Sequence, residues 1–191
     1  MKHFEKGLPA GYREAFTLDA ADKKTGLLLN LAAGIAMALI IAAAALILRP
    51  RGFLEHCTLG RNLLLLAALF LYLVLHELTH GAAYKLLTRQ KLTFGLTATV
   101  AYCGVPDIYV YRTAAMISLL APFCVFTLVF GGLTLALADP WDKMYAAVLL
   151  AIHLGGCAGD LYDTGLYLFR FRNPRTLMRD TGPRQTFYLP E

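Results

Sequence analysis

Charge is what this sequence has least of. Lys, Arg, Asp and Glu supply 16% of its 191 residues, against about 25% in a typical soluble domain. Hydrophobic residues reach 58%, so an ordinary water-facing surface is excluded and lipid is indicated. Cysteine is scarce as well. Cys57, Cys103, Cys124 and Cys157 form no CxxC pair and no zinc-ribbon spacing, which excludes a disulfide framework or a cysteine zinc module as the organising principle. There is no internal repeat, and no low-complexity tract beyond an Ala-rich first apolar run. The net charge of +5 is not gathered into a patch or stripe, which argues against nucleic acid as a partner. The length suits one domain.

Long apolar runs are what the chain has instead. Residues 26–48, 62–87, 113–138 and 144–169 are each near or above the roughly 20 residues a helix needs to cross a bilayer. The segment before the first run carries Lys2, Glu5, Lys6, Arg13, Glu14, Asp19, Asp22, Lys23 and Lys24, too polar for a signal-peptide start, so that run reads as an uncleaved anchor. Of the 18 Lys and Arg residues, 14 fall before the first run, around the 88–112 loop or after the fourth run. The positive-inside rule then places both termini and that loop in the cytoplasm. The turn at 139–143 lies outside, with Trp141 and Tyr145 at the outer interface.

The expected fold is an all-α integral membrane protein: a cytoplasmic segment 1–25, four transmembrane helices within 26–169, and a cytoplasmic tail 170–191 of limited structure. One exception to helix is expected. Leu92, Phe94, Leu96, Ala98, Val100 and Tyr102 alternate with polar or small residues, and Gly104 to Asp107 supply a turn before Ile108 to Tyr111. This predicts a short cytoplasmic-side β-hairpin over 92–111. It serves either as a plain connection or as an edge that holds an extended substrate.

The chemistry concentrates in the second run, at HELTH. On a helix, residues four apart share a face, so His76 and His80 can hold one metal ion. Glu77, at the edge of that face, is placed to reach a water on the metal. Ionisable groups at this depth cost up to about 3 kcal/mol each on insertion scales, and a metal is the natural compensation. Hydrolytic zinc usually takes a third protein ligand, and the fourth run offers candidates. Counting about 1.5 Å per residue from the cytoplasmic ends puts His76 about 16 Å deep, His80 about 10 Å and Asp160 about 14 Å. Asp160 is the first choice. Asp163, about 9 Å deep, is the second, or else orients a histidine N–H. His153, at about 24 Å, lies two turns too far out and suits a buried hydrogen bond. Gly155, Gly156, Gly159 and Gly81 could allow close helix contact. Pro122 is expected to kink the third helix.

HELTHG inside a span, the β-like loop, Ala121-Pro122 and the segment GGCAGDLYD resemble a bacterial family of zincin peptidases of unknown function. The resemblance runs from about Asn62 into the tail and includes Asp180. That family is in turn similar to the site-2 proteases, intramembrane metalloproteases with a three-span core. The resemblance implies that His76, Glu77 and His80 correspond to the HExxH on the first core span and Asp160 to the aspartate ligand on the third. Site-2 proteases usually set that aspartate before Gly, whereas here it follows Gly159 and precedes Leu161. No PDZ-like or CBS-like segment is evident, and the first run would be an addition to the core.

The expected function is a zinc-dependent intramembrane metalloprotease of the bacterial cytoplasmic membrane. A water on Zn2+ is the nucleophile, Glu77 the general base, His76, His80 and Asp160 the ligands, and a membrane protein or peptide the substrate. The alternative is a non-catalytic metal-binding membrane protein: a sensor, a transporter or an inactive protease homologue.

Overall fold

The computed structural model describes residues 2–97 and 101–191. In chain order the elements are β1 (Phe4–Glu5), β2 (Tyr12–Asp19), α1 (Lys23–Leu48), α2 (Phe53–His56), α3 (Leu59–Thr88), β3 (Thr93–Leu96), β4 (Ala101–Gly104), β5 (Tyr109–Tyr111), α4 (Arg112–Ala136), α5 (Pro140–Gly156), α6 (Ala158–Phe169), β6 (Leu177–Asp180) and β7 (Arg184–Pro190).

Helices α1, α3 and α4 are each long and apolar enough to cross a membrane, and α5 and α6 pass that test together. The fourth apolar run is thus two helices, broken at Cys157, and its chemistry-bearing Asp160 sits in the first turn of α6. Helix α5 starts where Asp139 caps it. The carboxylate accepts from the N–H groups of Trp141 and Asp142, and Pro140 fills a position whose N–H would have no helical partner.

The all-α expectation is overturned by seven strands among the described residues, five of them in one antiparallel sheet of order β1-β5-β6-β7-β2. The fold is mixed α/β. The ends of the chain, rich in charge and proline, build most of that sheet. β2 pairs with β7 from Tyr12↔Pro190 to Asp19↔Arg184, with a bulge between Glu14 and Phe16, and β6 pairs with β7. The tail therefore has regular structure where little was expected. Its apolar residues Leu177, Met178 and Phe187 are fully buried, and their burial offsets the ordering cost that its polar residues could not.

The hairpin is also placed differently. β3, which ends at Leu96, pairs with β4, which starts at Ala101, while β5 pairs with β1 and β6. Alternation marks which residues share a face but not which strand lies beside which, so it could not tell that β5 pairs with β1 and β6. The part of the expected strand on Ala98, Thr99 and Val100 lies outside the described residues.

The chain divides into two compact units. The first comprises Met1–Leu29, Glu77–Pro122 and Gly159–Glu191, the second Asn30–His76 and Phe123–Ala158. The core of the first gathers Tyr84, Val105, Ile108, Val110, Tyr167 and Met178 around Phe187, whose ring lies 5.1 Å from that of Tyr167 and 5.0 Å from that of Phe171. The core of the second is Tyr72, Phe126 and Phe130 with Leu149 and Leu150. There Gly155 lets α5 lie against Met37 and the Ala33 carbonyl of α1, where a Cβ would collide with Met37.

Candidate metal centre

Helix α3 is built inside out relative to a soluble amphipathic helix. Its buried row is Tyr72, His76, His80, Tyr84 and Thr88, at a constant spacing of four. Its outward side chains are apolar: Leu71, Leu73, Val74, Leu75, Leu78 and Leu86 are all well exposed. Four residues is close to one helical turn, so this row runs down one face. His76 and His80 are adjacent members of it.

His80 is anchored within the first unit. Its Nδ1 lies 2.8 Å from the carbonyl oxygen of Ser118 on α4. A carbonyl can only accept, so Nδ1 carries the hydrogen and Nε2 is the basic nitrogen. Nε2 in turn lies 3.4 Å from Oδ2 of Asp160. The availability of the Ser118 carbonyl has a covalent cause: residue 122, four positions on, is proline and has no N–H to give it. Pro122, inside α4 and expected to act through a kink, thus leaves a carbonyl for the histidine.

Asp160 stands in the first turn of α6, where the positive end of the helix favours a carboxylate. Glu77 follows His76 on α3 and is half-buried. Its carboxylate lies close enough to Cys103 of β4 to act on that thiol. Burial pushes Cys103 up to about 12, with the carboxylates of Asp180 and Glu77 adding to the effect. Strand β3 closes over the turn after His80. A Cβ on Gly81 would run into the Phe94 ring and Leu92, so Gly81 makes room for the hairpin rather than for another helix.

Asp180 of β6 lies in the same unit and accepts from the Tyr84 hydroxyl at 2.7 Å, the Gly182 N–H at 2.9 Å and the Gln185 amide at 3.3 Å. Burial raises its carboxyl to about 6, against the pull of these hydrogen bonds and of nearby His80. Asp163 is buried, and its Oδ1 has no partner among the described residues, like the hydroxyls of Ser118, Thr164 and Tyr167. The Nδ1 atoms of His80 and His76 lie against the Ser118 carbonyl and the Tyr72 hydroxyl instead.

In the second unit, His153 is fully buried. Its Nδ1 lies 3.1 Å from the Tyr72 hydroxyl, and its Nε2 lies 3.1 Å from Thr127 Oγ1 and 3.3 Å from the Phe123 carbonyl. The Tyr72 hydroxyl is also 3.0 Å from His76 Nδ1. Ligand-type atoms of His76, His153 and Cys157 all lie within 4.8 Å of one another. The sequence reading missed Tyr72 and the Ser118 carbonyl. Two local signals could have found them: Tyr72 is four residues before His76, and Ser118 is four before Pro122.

The HExxH histidines thus lie on the buried row of α3, with the Asp160 carboxylate of α6 against the second of them, and side chains of these types are ones that can hold a metal ion. A family model described as "Putative zincin peptidase" matches residues 69–173, more than half of the chain, and the chain belongs to that family. The class that this description suggests is the zinc peptidases. No curated protein matches the chain, and no solved structure does.

Proposed function

We propose that the protein is an intramembrane zinc metalloprotease in which His76, His80 and Asp160 hold the metal and Glu77 is the general base. The observation that carries this reading is the state of His80, whose Nδ1–H is given to the Ser118 carbonyl while its basic Nε2 stands 3.4 Å from the Asp160 carboxylate. That is how a metal-binding histidine is usually oriented: one nitrogen donated to the protein and the other kept as a ligand. Two neutral imidazoles and one carboxylate suit Zn2+ and leave a position for water or substrate.

The chemistry that zinc supplies when bound is acidification of a water and polarisation of a carbonyl. Glu77 accepts the proton of the attacking water on its carboxylate and passes it to the leaving amine. Ser118 holds the His80 ring by its carbonyl, and β3 covers the turn beside it through Phe94 on Gly81. The substrate is a membrane protein or peptide segment that is extended at the scissile bond, because a helical peptide bond is shielded.

Placement in a membrane is supported by the surface. Most of the apolar side chains of α1 face outward, Leu39, Leu46 and Ile47 among them. Lipid is the solvent that accepts such a surface. The sheet supports the sidedness, since β2, β5 and β7 are strands of one sheet. Both termini and the 88–112 loop must then share a side, which the positive-inside rule makes the cytoplasm of a bacterial cell.

Metal content of the detergent-purified chain tests the site, by elemental mass spectrometry of the wild type, His80→Ala, Asp160→Ala, Asp163→Ala and Glu77→Gln. One zinc per chain is expected, lost in the first two variants and kept in the last two. Zinc kept without Asp160 but lost without Asp163 would move the third ligand. No metal in the wild type would overturn the reading.

A further inference from the structure

His153 is a fully buried imidazole that the proposed hydrolysis does not use, and it shares the Tyr72 hydroxyl with His76. The direction of these hydrogen bonds can be worked out from one end. The Phe123 carbonyl, 3.3 Å from His153 Nε2, can only accept, so Nε2 carries the hydrogen, and Thr127 Oγ1 at 3.1 Å accepts from the same atom. A neutral imidazole with its hydrogen on Nε2 has its lone pair on Nδ1. Nδ1 therefore accepts from the Tyr72 O–H at 3.1 Å, with the Cys157 thiol a more distant donor at 3.6 Å. Having given its only hydrogen to His153, the Tyr72 oxygen accepts at 3.0 Å, and the donor is His76 Nδ1–H. His76 is then the tautomer whose lone pair is on Nε2.

We propose that Tyr72 and His153 form a hydrogen-bond relay that holds His76 in its Nδ1-protonated tautomer, making Nε2 the atom it offers to a metal. The use of that atom rests on the zinc reading above; the tautomer does not. Tyr72 and His153 are positioning residues, acting on the metal through His76 alone. The relay is rigid because its members are packed. The Tyr72 ring lies edge-on to Phe126 at 5.2 Å and Phe130 at 5.5 Å, and His153 is 5.9 Å from Phe126 and 6.0 Å from Phe130. The two histidines thus have separate anchors, a backbone carbonyl for His80 and a side-chain relay for His76. The clustering of His76, His153 and Cys157 has another reading as a metal site of its own. Separations of 3.0 and 3.1 Å to a hydroxyl that bridges both rings are those of hydrogen bonds, and His153 Nε2 is already engaged with α4.

The test uses the full chain in detergent with two readouts. Long-range 1H–15N NMR of the metal-free, histidine-labelled protein at pH 8 reads the tautomer without any metal. The relay predicts His76 protonated on Nδ1 in the wild type, and a shift toward the Nε2-protonated form in Tyr72→Phe and His153→Leu. Zinc affinity, by competition with a chelating dye, should fall 10- to 100-fold in each. The double variant should be no worse than the weaker single, because one relay is cut once. His153→Gln, which keeps an acceptor for Tyr72, should restore most of the affinity. An Nε2-protonated His76 in the wild type overturns the relay, as does an affinity change under 3-fold in both single variants, or a second zinc lost with Cys157→Ala. Absence of zinc binding with the tautomers as expected would instead sink the zinc reading and leave the relay standing.

Discussion

Asp180 of β6 is a buried carboxylate outside the apolar helices. Its side chain accepts three hydrogen bonds, yet burial dominates and its carboxyl titrates near 6 instead of 3.8. A folded-state value above the unfolded one means that the fold favours the protonated form. The corresponding stability is fully present below about 4 and is lost as pH rises through about 6, an effect on the order of 3 kcal/mol. Asp180→Asn keeps an oxygen for the Gly182 N–H and removes the charge. Thermal unfolding in detergent with chelator present, from pH 4 to 7, should show a midpoint that falls with pH in the wild type relative to the variant. Glu5 and Asp139, both held below the ordinary carboxylate range by hydrogen bonds, act in the opposite sense and cancel in that comparison. Parallel curves would mean that the Asp180 carboxyl is not held up by burial.

Among the elements, α4 joins local chain chemistry to the site most directly. A proline in a helix interior normally costs about 3 kcal/mol because a carbonyl loses its donor. Here the orphaned carbonyl of Ser118 receives the His80 Nδ1–H at 2.8 Å. Pro122→Ala would return an N–H to that carbonyl and set it in competition with His80. The expected outcome is a helix at least as stable as before and a zinc affinity about 10-fold weaker, read by thermal unfolding and chelator competition on the same preparations. Equal zinc affinity in the variant would show that the Ser118 carbonyl holds His80 regardless of residue 122. The same scale explains the break between α5 and α6, which puts Asp160 at a helix start instead of mid-helix.

For the whole molecule, the five-stranded sheet ties the N-terminal segment, the 88–112 loop and the C-terminal tail together through hydrogen bonds. If the apolar helices cross a bilayer, these three segments are obliged to share one side. Reporter fusions at each terminus and within the 88–112 loop, active only on one face of the membrane, should all report the cytoplasm. The chain should also stay with the membrane pellet after alkaline carbonate extraction. Opposite reports from the two termini are incompatible with β2 pairing β7, and release into the carbonate supernatant would end the membrane reading.

What could be read from residues alone was whatever is local and periodic. Uninterrupted apolar runs announced α1, α3 and α4 to within a few residues, since helix formation in a stretch of that length needs no distant partner. The spacing of His76, Glu77 and His80 told of a shared helix face, because 3.6 residues make a turn whatever surrounds it. Depth counted along the helices put Asp160 first among the acidic candidates, and the family resemblance pointed to the same residue. Tertiary structure alone decided the sheet: β2 and β7 are separated by most of the chain, and neither buries an apolar face until the other and β6 lie beside it. It alone brought Ser118 to His80 and His153 to Tyr72, since these partners come from different helices. The sequence thus named the candidate groups, and packing gave each ring its hydrogen-bond partners.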